Sequence, residues 1–561
     1  MSESTKKTKV LFFGTHPKQF NGYSKVVYEL SKELSKSQDI ELVIYGFQNF
    51  YQQIKHRIDL PSNVTVYDAF ANESPKTTGF GPKEVTEYVT SYAPDICVVY
   101  NDMVVISSIV NELKKIPNPT FKIIGYIDQV YLNQKKIFIQ YINQNIDESI
   151  LFTKHWEDTI IEQGIKTPTH HIPHGFNPFT FYPIPKNIAR QYFNLSMDDF
   201  IILNLNRNQP RKRWDICLKA FADIVSRYPN DPIKMIIGTN LTGEWNLLEI
   251  FERELGKRNV TLETGLKHII FIDKPQKHTD EETNMLYNVA DIGINTCDGE
   301  GFGLCNFEQA GIGIPQIVPR LGGFLDFFSD EDVIFAEPQL SYYVGSNRDY
   351  VGGEAVICSY MDFADGIETY YQNKELRAKH GKLLRQKITT NYKWKDISQK
   401  LLDIILEVHK KQRSLNDSMK PIMNGIKEDE VEKEEEKEKV KEVEKEVERI
   451  DTESLDSLLK AKLKEENQIN ERNQENQENQ ENQENQENQE NQENQENQEN
   501  HCIDKTEKPE KPEKKDKMKK VKKKKSKMSK MSKMSKRDMI RMFEKMICNE
   551  VSSDDSSSSS D

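Results

Sequence analysis

Short apolar runs recur along the first 411 residues, separated by polar segments long enough to hold helices. In the first half they fall at residues 10–14 (VLFFG), 42–46, 64–67, 96–100, 122–127 and 149–153. Runs of this length bounded by polar turns read as strands buried on both faces. After the first run, Val26, Val27, Leu30 and Leu34 repeat at helical spacing, so the chain opens as strand, loop, helix. A second series of strands is predicted at 200–205, 234–238, 269–272, 290–295, 314–318 and 354–358. Helices are predicted around Ile216, Ala220 and Ile224, over 281–289, and over 398–410 with Leu401, Leu402, Ile405 and Val408 inward. This alternation predicts an α/β protein of two mostly parallel sheets, two Rossmann-like domains facing one another with a ligand between their C-terminal edges.

Composition changes abruptly after about residue 411, where aromatic residues give way to charge runs and repeats. The folded part is therefore placed at residues 9–411, too long for one core and divided into domains at 9–180 and 198–385, followed by a helical segment at 386–411 that packs back on the body. The segment 171–183 (HIPHGFNPFTFYP) has the proline and glycine of a hinge between the two. The net charge of −12 sums unlike segments and characterises no single surface. Seven scattered cysteines, with no CxxC pair, point to reduced thiols and a cytoplasmic protein. A polar N-terminus and the lack of an apolar run of 18 residues predict neither signal peptide nor membrane span.

Candidate chemistry concentrates at 297–323 (CDGEGFGLCNFEQAGIGIPQIVPRLGG), which reads as a glycine-rich loop and helix between two strands. A helix opening at a strand end in such a sheet is a place for anions. Glu300 in the loop and Glu308 in the helix are spaced to hold two parts of one ligand. Upstream, Arg207, Arg211, Lys212 and Arg213 crowd the loop after the 200–205 strand, as expected of a diphosphate site. Gly22 lies in the first strand–helix loop, but the dinucleotide pattern GxGxxG is absent there, which disfavours a dehydrogenase. Asn101, Asp102, Asp128, Gln129, Lys154 and His155 follow strand ends; each also fits a helix cap or a solvated loop position, and Asp128 is the best placed. His170, His171 and His174 lack a thiol or carboxylate at ligand spacing, so no metal centre is expected.

Together these features resemble the GT-B type glycosyltransferases, and most of all the retaining family 4. The resemblance covers residues 9–411 and rests on EGFGLCNFEQAGIGIPQI with the following Gly322–Gly323, on NRNQPRKRWD, and on IPHGFN. It implies a hexosyltransferase-like enzyme that takes a UDP- or GDP-sugar as donor substrate, retains anomeric configuration and needs no cofactor or metal. Glu300 would face the donor sugar, Glu308 would hold the ribose, and Arg207 would neutralise the diphosphate. The lysine role falls on Lys212, or on Arg213 if the register shifts. Backbone N–H groups of Gly301, Phe302, Gly303 and Leu304 would add to the phosphate site, which Gly22 would let the opening loop approach. Where the family usually has a histidine or acidic group, this chain reads YIDQVY, placing Asp128 or Gln129 there. The alternative reading is a GT-B body that binds a nucleotide-sugar, or serves as a scaffold, without transfer.

Beyond the body, residues 426–470 are charged, with Val440, Val443, Val447 and Ile450 in a short heptad-like stripe that predicts a charged helix or weak coiled coil. The remainder, 471–561, with nine NQE repeats at 473–499, is expected to be disordered. Its Lys-rich part at 514–537 suits electrostatic contact with an anionic partner or a membrane periphery, and its lack of interleaved aromatics argues against specific nucleic-acid reading. The acceptor (glycan, protein or lipid) is not legible.

Overall fold

The computed structural model describes residues 6–50, 57–76, 78–272, 278–345, 348 and 351–423, with backbone only from 415 onward. The described residues belong to one compact unit, Met1–Asn473. The second unit, Gln474–Asp561, and with it the expected tail, lies outside the described residues, as does the expected helix at 426–470.

The first sheet contains β1 (Thr8–Thr15), β2 (Ile40–Phe47), β3 (Thr65–Asp68), β4 (Ile96–Asn101), β5 (Lys122–Ile127), β6 (Glu148–Leu151) and β7 (Thr169–His171), in the order β3-β2-β1-β4-β5-β6-β7. All pairings are parallel. Thr8 pairs with Ile40 and every residue of β1 stays in that register through Thr15 and Phe47. Both faces are covered, so β1 and β4 are buried almost throughout, which is why they read as unbroken apolar runs. Helix Gly22–Leu34 lays Val26, Val27, Leu30 and Leu34 on one face of this sheet as the spacing requires.

The second sheet contains β8 (Phe200–Asn204), β9 (Ile233–Ile237), β10 (Ile269–Phe271), β11 (Ile292–Ile294), β12 (Gln316–Pro319) and β13 (Ile334–Ala336), in the order β10-β9-β8-β11-β12-β13. It too is parallel throughout. Each sheet therefore reverses its strand order once, between β1 and β4 and between β8 and β11. Loops leaving the carboxyl ends of strands at such a reversal diverge and leave room for a ligand.

One expected strand is placed differently. Residues 354–358 do not extend the second sheet; they form β15 (Gly353–Cys358), paired antiparallel with β14 (Pro338–Val344) in a separate hairpin. The edge beside β12 is already taken by β13, a three-residue strand too short to stand out in the sequence. The hairpin reaches the first half, where Leu132 and Glu354 exchange backbone hydrogen bonds of 3.1 and 2.7 Å.

The crossing between the halves is firmly packed. The backbone N–H of Phe176 donates to Tyr392 O at 2.7 Å, and Trp394 lies so close to Gly175 that no Cβ fits there. The final helix, Trp394–Met423, is longer than the apolar spacing at 398–410 indicates. Its Leu401, Ile405 and Val408 share a buried cluster with Val26 and Leu30, so a helix following the second sheet completes the core of the first. Each fully buried aliphatic side chain of this kind contributes roughly 1.5–3 kcal/mol.

Candidate active site

Four loops meet between the two sheets: those after β1 and β5 on one side, and those after β8 and β11 on the other. The last two are fastened together. After β8 the chain makes a tight 3-10 turn, Pro210–Lys212, and Arg213 then takes a left-handed conformation (φ 47°) before helix Trp214–Arg227 begins. Thr296 Oγ1 donates to the carbonyls of Lys212 and Arg213 at 3.2 and 3.0 Å, and Asp298 N donates to Arg211 O at 3.0 Å. Two short loops from adjacent strands thus behave as one rigid wall.

Glu300 stands in that wall, 5% exposed. Its Oε2 pairs with Lys212 Nζ and accepts from Asn295 Nδ2 at 3.3 Å, while Oε1 lies 3.4 Å from Arg211. Burial would raise its pKa, but the charges of Lys212 and Arg211 outweigh it and hold the carboxyl at about 2. The backbone around it is fixed by the glycine pair further along. Gly323 N donates to Glu300 O at 3.0 Å, and Gly322, at φ +50°, packs so closely that a Cβ would collide with the same oxygen.

The helix after β11, Leu304–Gly311, starts from Gly303 at φ 87°. Glu308 lies little more than one turn in and is 3% exposed. Its Oε1 accepts from Lys25 Nζ at 2.6 Å and its Oε2 from Tyr287 Oη at 2.9 Å. Burial raises its pKa, with Lys25 and Tyr287 opposing. Phe302 turns its ring into an aromatic cluster with Phe307, Phe327 and His174, whereas Leu304 faces Gly22, where a Cβ would approach Leu304 Cδ1 to 3.0 Å.

The first half meets this wall at several points. Asp128 follows β5, accepts from Tyr23 Oη through Oδ2, and sits against Gly301 so tightly that a Cβ there would overlap Oδ1. Burial raises the Asp128 pKa against the Tyr23 hydrogen bond and the Arg211 charge. Its Oδ1 is buried with no hydrogen-bond partner among the described residues. Trp156 Nε1 donates to Gly301 O at 2.9 Å.

The sequence-predicted residues thus divide. Lys212, Glu300, Gly301, Gly303, Leu304, Glu308, Gly22 and Asp128 come together where the halves face each other. Arg207 is exposed on the same loop, its carbonyl accepting from Trp214 Nε1 at 3.2 Å; Arg211 is the arginine beside Glu300. Arg213 turns to Asp215 and Asp298, at 2.7 and 3.6 Å. Gln129 donates to Tyr131 O at 3.2 Å, and Asp102 caps helix Met103–Lys114. The three histidines separate: His170 meets Glu148, His171 meets Asp326, and His174 stacks among aromatic rings, where burial lowers its pKa to about 3. Tyr23, Lys25 and Trp156 were not singled out from sequence, because one tyrosine, lysine or tryptophan early in an amphipathic helix is indistinguishable from an ordinary surface or core position.

No family model matches the chain. The fold is that of GT-B glycosyltransferases. Sucrose-phosphate synthase from Thermosynechococcus elongatus superposes with a TM-score of 0.56 at 16% identity, over 72% of this chain and 99% of that one. HepE from Anabaena in complex with UDP-glucose does so at 0.53 and 14%, over 71% and 99%. In sequence the chain is similar to family-4 type glycosyltransferases: D-inositol 3-phosphate glycosyltransferase 2 of Catenulispora acidiphila, 27% identical over 157 residues (27% of this chain, 34% of that protein), and mannosylfructose-phosphate synthase of Agrobacterium fabrum, 24% over 203 residues (35% and 43%). The chain therefore spans less than half the length of these curated relatives. No helix among the described residues is long and apolar enough to cross a membrane.

Proposed function

We propose that the chain is a glycosyltransferase that moves a sugar from a nucleoside-diphosphate sugar to an acceptor, retaining anomeric configuration and without a metal. The observation that carries this reading is the group of buried Glu300 and Lys212 with half-buried Arg211 at the reversal of the second sheet, and Glu308 on the helix that opens there. Fixed cations in a water-poor site stabilise charge that develops on a departing diphosphate, as a metal does elsewhere. Lys212 and Arg211 are held by Glu300, and Arg207 adds a further cation on the exposed part of the loop. The backbone of 301–304 and the start of helix Leu304–Gly311 supply N–H donors at the same place.

In this reading Glu300 faces the donor sugar as a carboxylate, since its low pKa keeps it ionised at any physiological pH. Glu308 takes the ribose hydroxyls. Asp128 occupies the position where the family usually has a histidine or acidic group, and its unpartnered Oδ1 serves as an acceptor for a sugar hydroxyl. The matched relatives named as glycosyltransferases and the GT-B neighbours, one solved with UDP-glucose, support the assignment. The test is nucleoside-diphosphate release by the full chain over a panel of UDP- and GDP-sugars. Release that is lost in Glu300→Ala and Arg207→Ala is expected; release that these variants leave unchanged overturns the residue assignment.

A further inference from the structure

Glu308 is held by a cation from the opposite half. Lys25, three residues after Gly22, reaches across with Nζ 2.6 Å from Glu308 Oε1, a pair linking residues 283 apart. The two side chains are 17% and 4% exposed. Lys25 also lies over the Phe181 ring, 4.5 Å from its centroid, in the segment that joins the halves. With Tyr287 on Oε2, each carboxylate oxygen has one donor among the described residues, where a carboxylate oxygen can accept two. Beside it runs a second bridge between the halves, Arg57 to Asp280 at 2.9 Å, whose guanidinium also donates to Ser24 Oγ at 2.7 Å, next to Lys25 in the chain.

We propose that Lys25 is a positioning residue for the nucleotide part of the donor: from the first half it orients the Glu308 carboxylate, so that ribose hydroxyls meet a fixed acceptor. This rests on the reading of Glu308 as the ribose-binding group. The charged and titratable groups around Glu308 are Lys25 and, beyond it, Arg57 from the first half, Asp280 and Tyr287 from helix Asp280–Val289, and Cys305 from its own helix. Burial raises the Glu308 pKa and Asp280 adds to that; Lys25 is the main opposing charge. Removing Lys25 therefore raises the Glu308 pKa further, and protonation costs the site an acceptor as the pH falls.

The test uses the full chain and calorimetric titration with UDP and with GDP, following whichever binds more tightly. Each variant's Kd is expressed relative to the unsubstituted protein at the same pH, between about pH 5.5 and about pH 8. Lys25→Met is expected to weaken binding about tenfold near neutrality, with the loss growing as the pH falls, and Lys25→Arg to restore most of the affinity. Arg57→Met, which breaks the neighbouring bridge and removes no direct contact to Glu308, should give a ratio that changes less with pH than that of Lys25→Met. A Lys25→Met ratio near one, or one no steeper in pH than that of Arg57→Met, overturns the proposal. Glu308→Gln separates the two claims: if it weakens binding while Lys25→Met does not, the Lys25 inference alone fails, and if it binds as well as the unsubstituted protein, the ribose reading fails and takes this inference with it.

Discussion

On the second-sheet side of the site, the charged groups come from two loops and one short helix; Lys212 and Glu300 lie 88 residues apart, and the two loops are locked together by Thr296 and Asp298. On the first-sheet side, Tyr23, Lys25, Asp128 and Trp156 arrive from three separate segments and act mostly by touching the other wall: Lys25 on Glu308, Asp128 against Gly301, Trp156 on the Gly301 carbonyl. One wall carries the fixed charges, and the other fixes their position. The contrast explains why a site can be electrostatically complete on one domain and still depend on both.

The comparison breaks most severely at its charged centre. Lys212→Ala or Glu300→Ala should lower turnover by about 10²–10³-fold. Glu300→Ala leaves Lys212 buried without its carboxylate, at about 3–5 kcal/mol of stability, and Lys212→Ala costs less because Arg211 still faces Glu300. The pair Lys212→Met with Glu300→Gln should recover much of that stability, read by denaturant unfolding, while turnover stays low. A double variant as unstable as the singles would show that the pair does not act as a unit.

Next in size are the close approaches between the walls. Gly301→Ala and Gly322→Ala each put a Cβ into a position occupied from the other wall, by Asp128 and by the Trp156 ring, and at Gly322 by the Glu300 carbonyl as well. A loss of about 1–3 kcal/mol and of most nucleotide affinity is expected, measured by unfolding and calorimetry. Variants as stable and as tight as the unsubstituted protein would mean that the walls are farther apart than described.

Trp156→Phe keeps the ring packing and removes the hydrogen bond to Gly301 O. A loss of about 1 kcal/mol in transition-state stabilisation, with substrate affinity little changed, is the expected signature of a wall that positions rather than binds. A change in KM alone would place Trp156 among the binding groups.

The last effect is read in pH. The folded-state pKa of Glu300, about 2, lies below its unfolded value of about 4.3. Its ionisation therefore stabilises the fold fully above the unfolded value, and that stabilisation is lost as the pH falls through the interval toward the folded value. Acid unfolding below about pH 4 should be steeper for the unsubstituted protein than for Glu300→Gln; equal slopes would contradict the strong pairing with Lys212 and Arg211.

The asymmetry between the walls also governs what the sequence discloses. Strands buried on both faces leave unbroken apolar runs, so both parallel sheets were legible, whereas β13, three residues long, and the β14–β15 hairpin were not. The residues 297–323 were legible because a local strand–loop–helix carries the glycines and both glutamates in one stretch. Arg211 was visible only as one of four crowded cations; its place beside Glu300 is a tertiary contact between residues 89 apart. Lys25 and Trp156 gave no signal, because their partners lie 283 and 145 residues away.

The most direct measurement is calorimetric titration of the full chain with UDP- and GDP-sugars, repeated with Lys212→Ala. Binding of at least one donor, weakened by about tenfold or more in the variant, is the result the account predicts. Absence of heat with every donor, or equal affinity in both proteins, would contradict it.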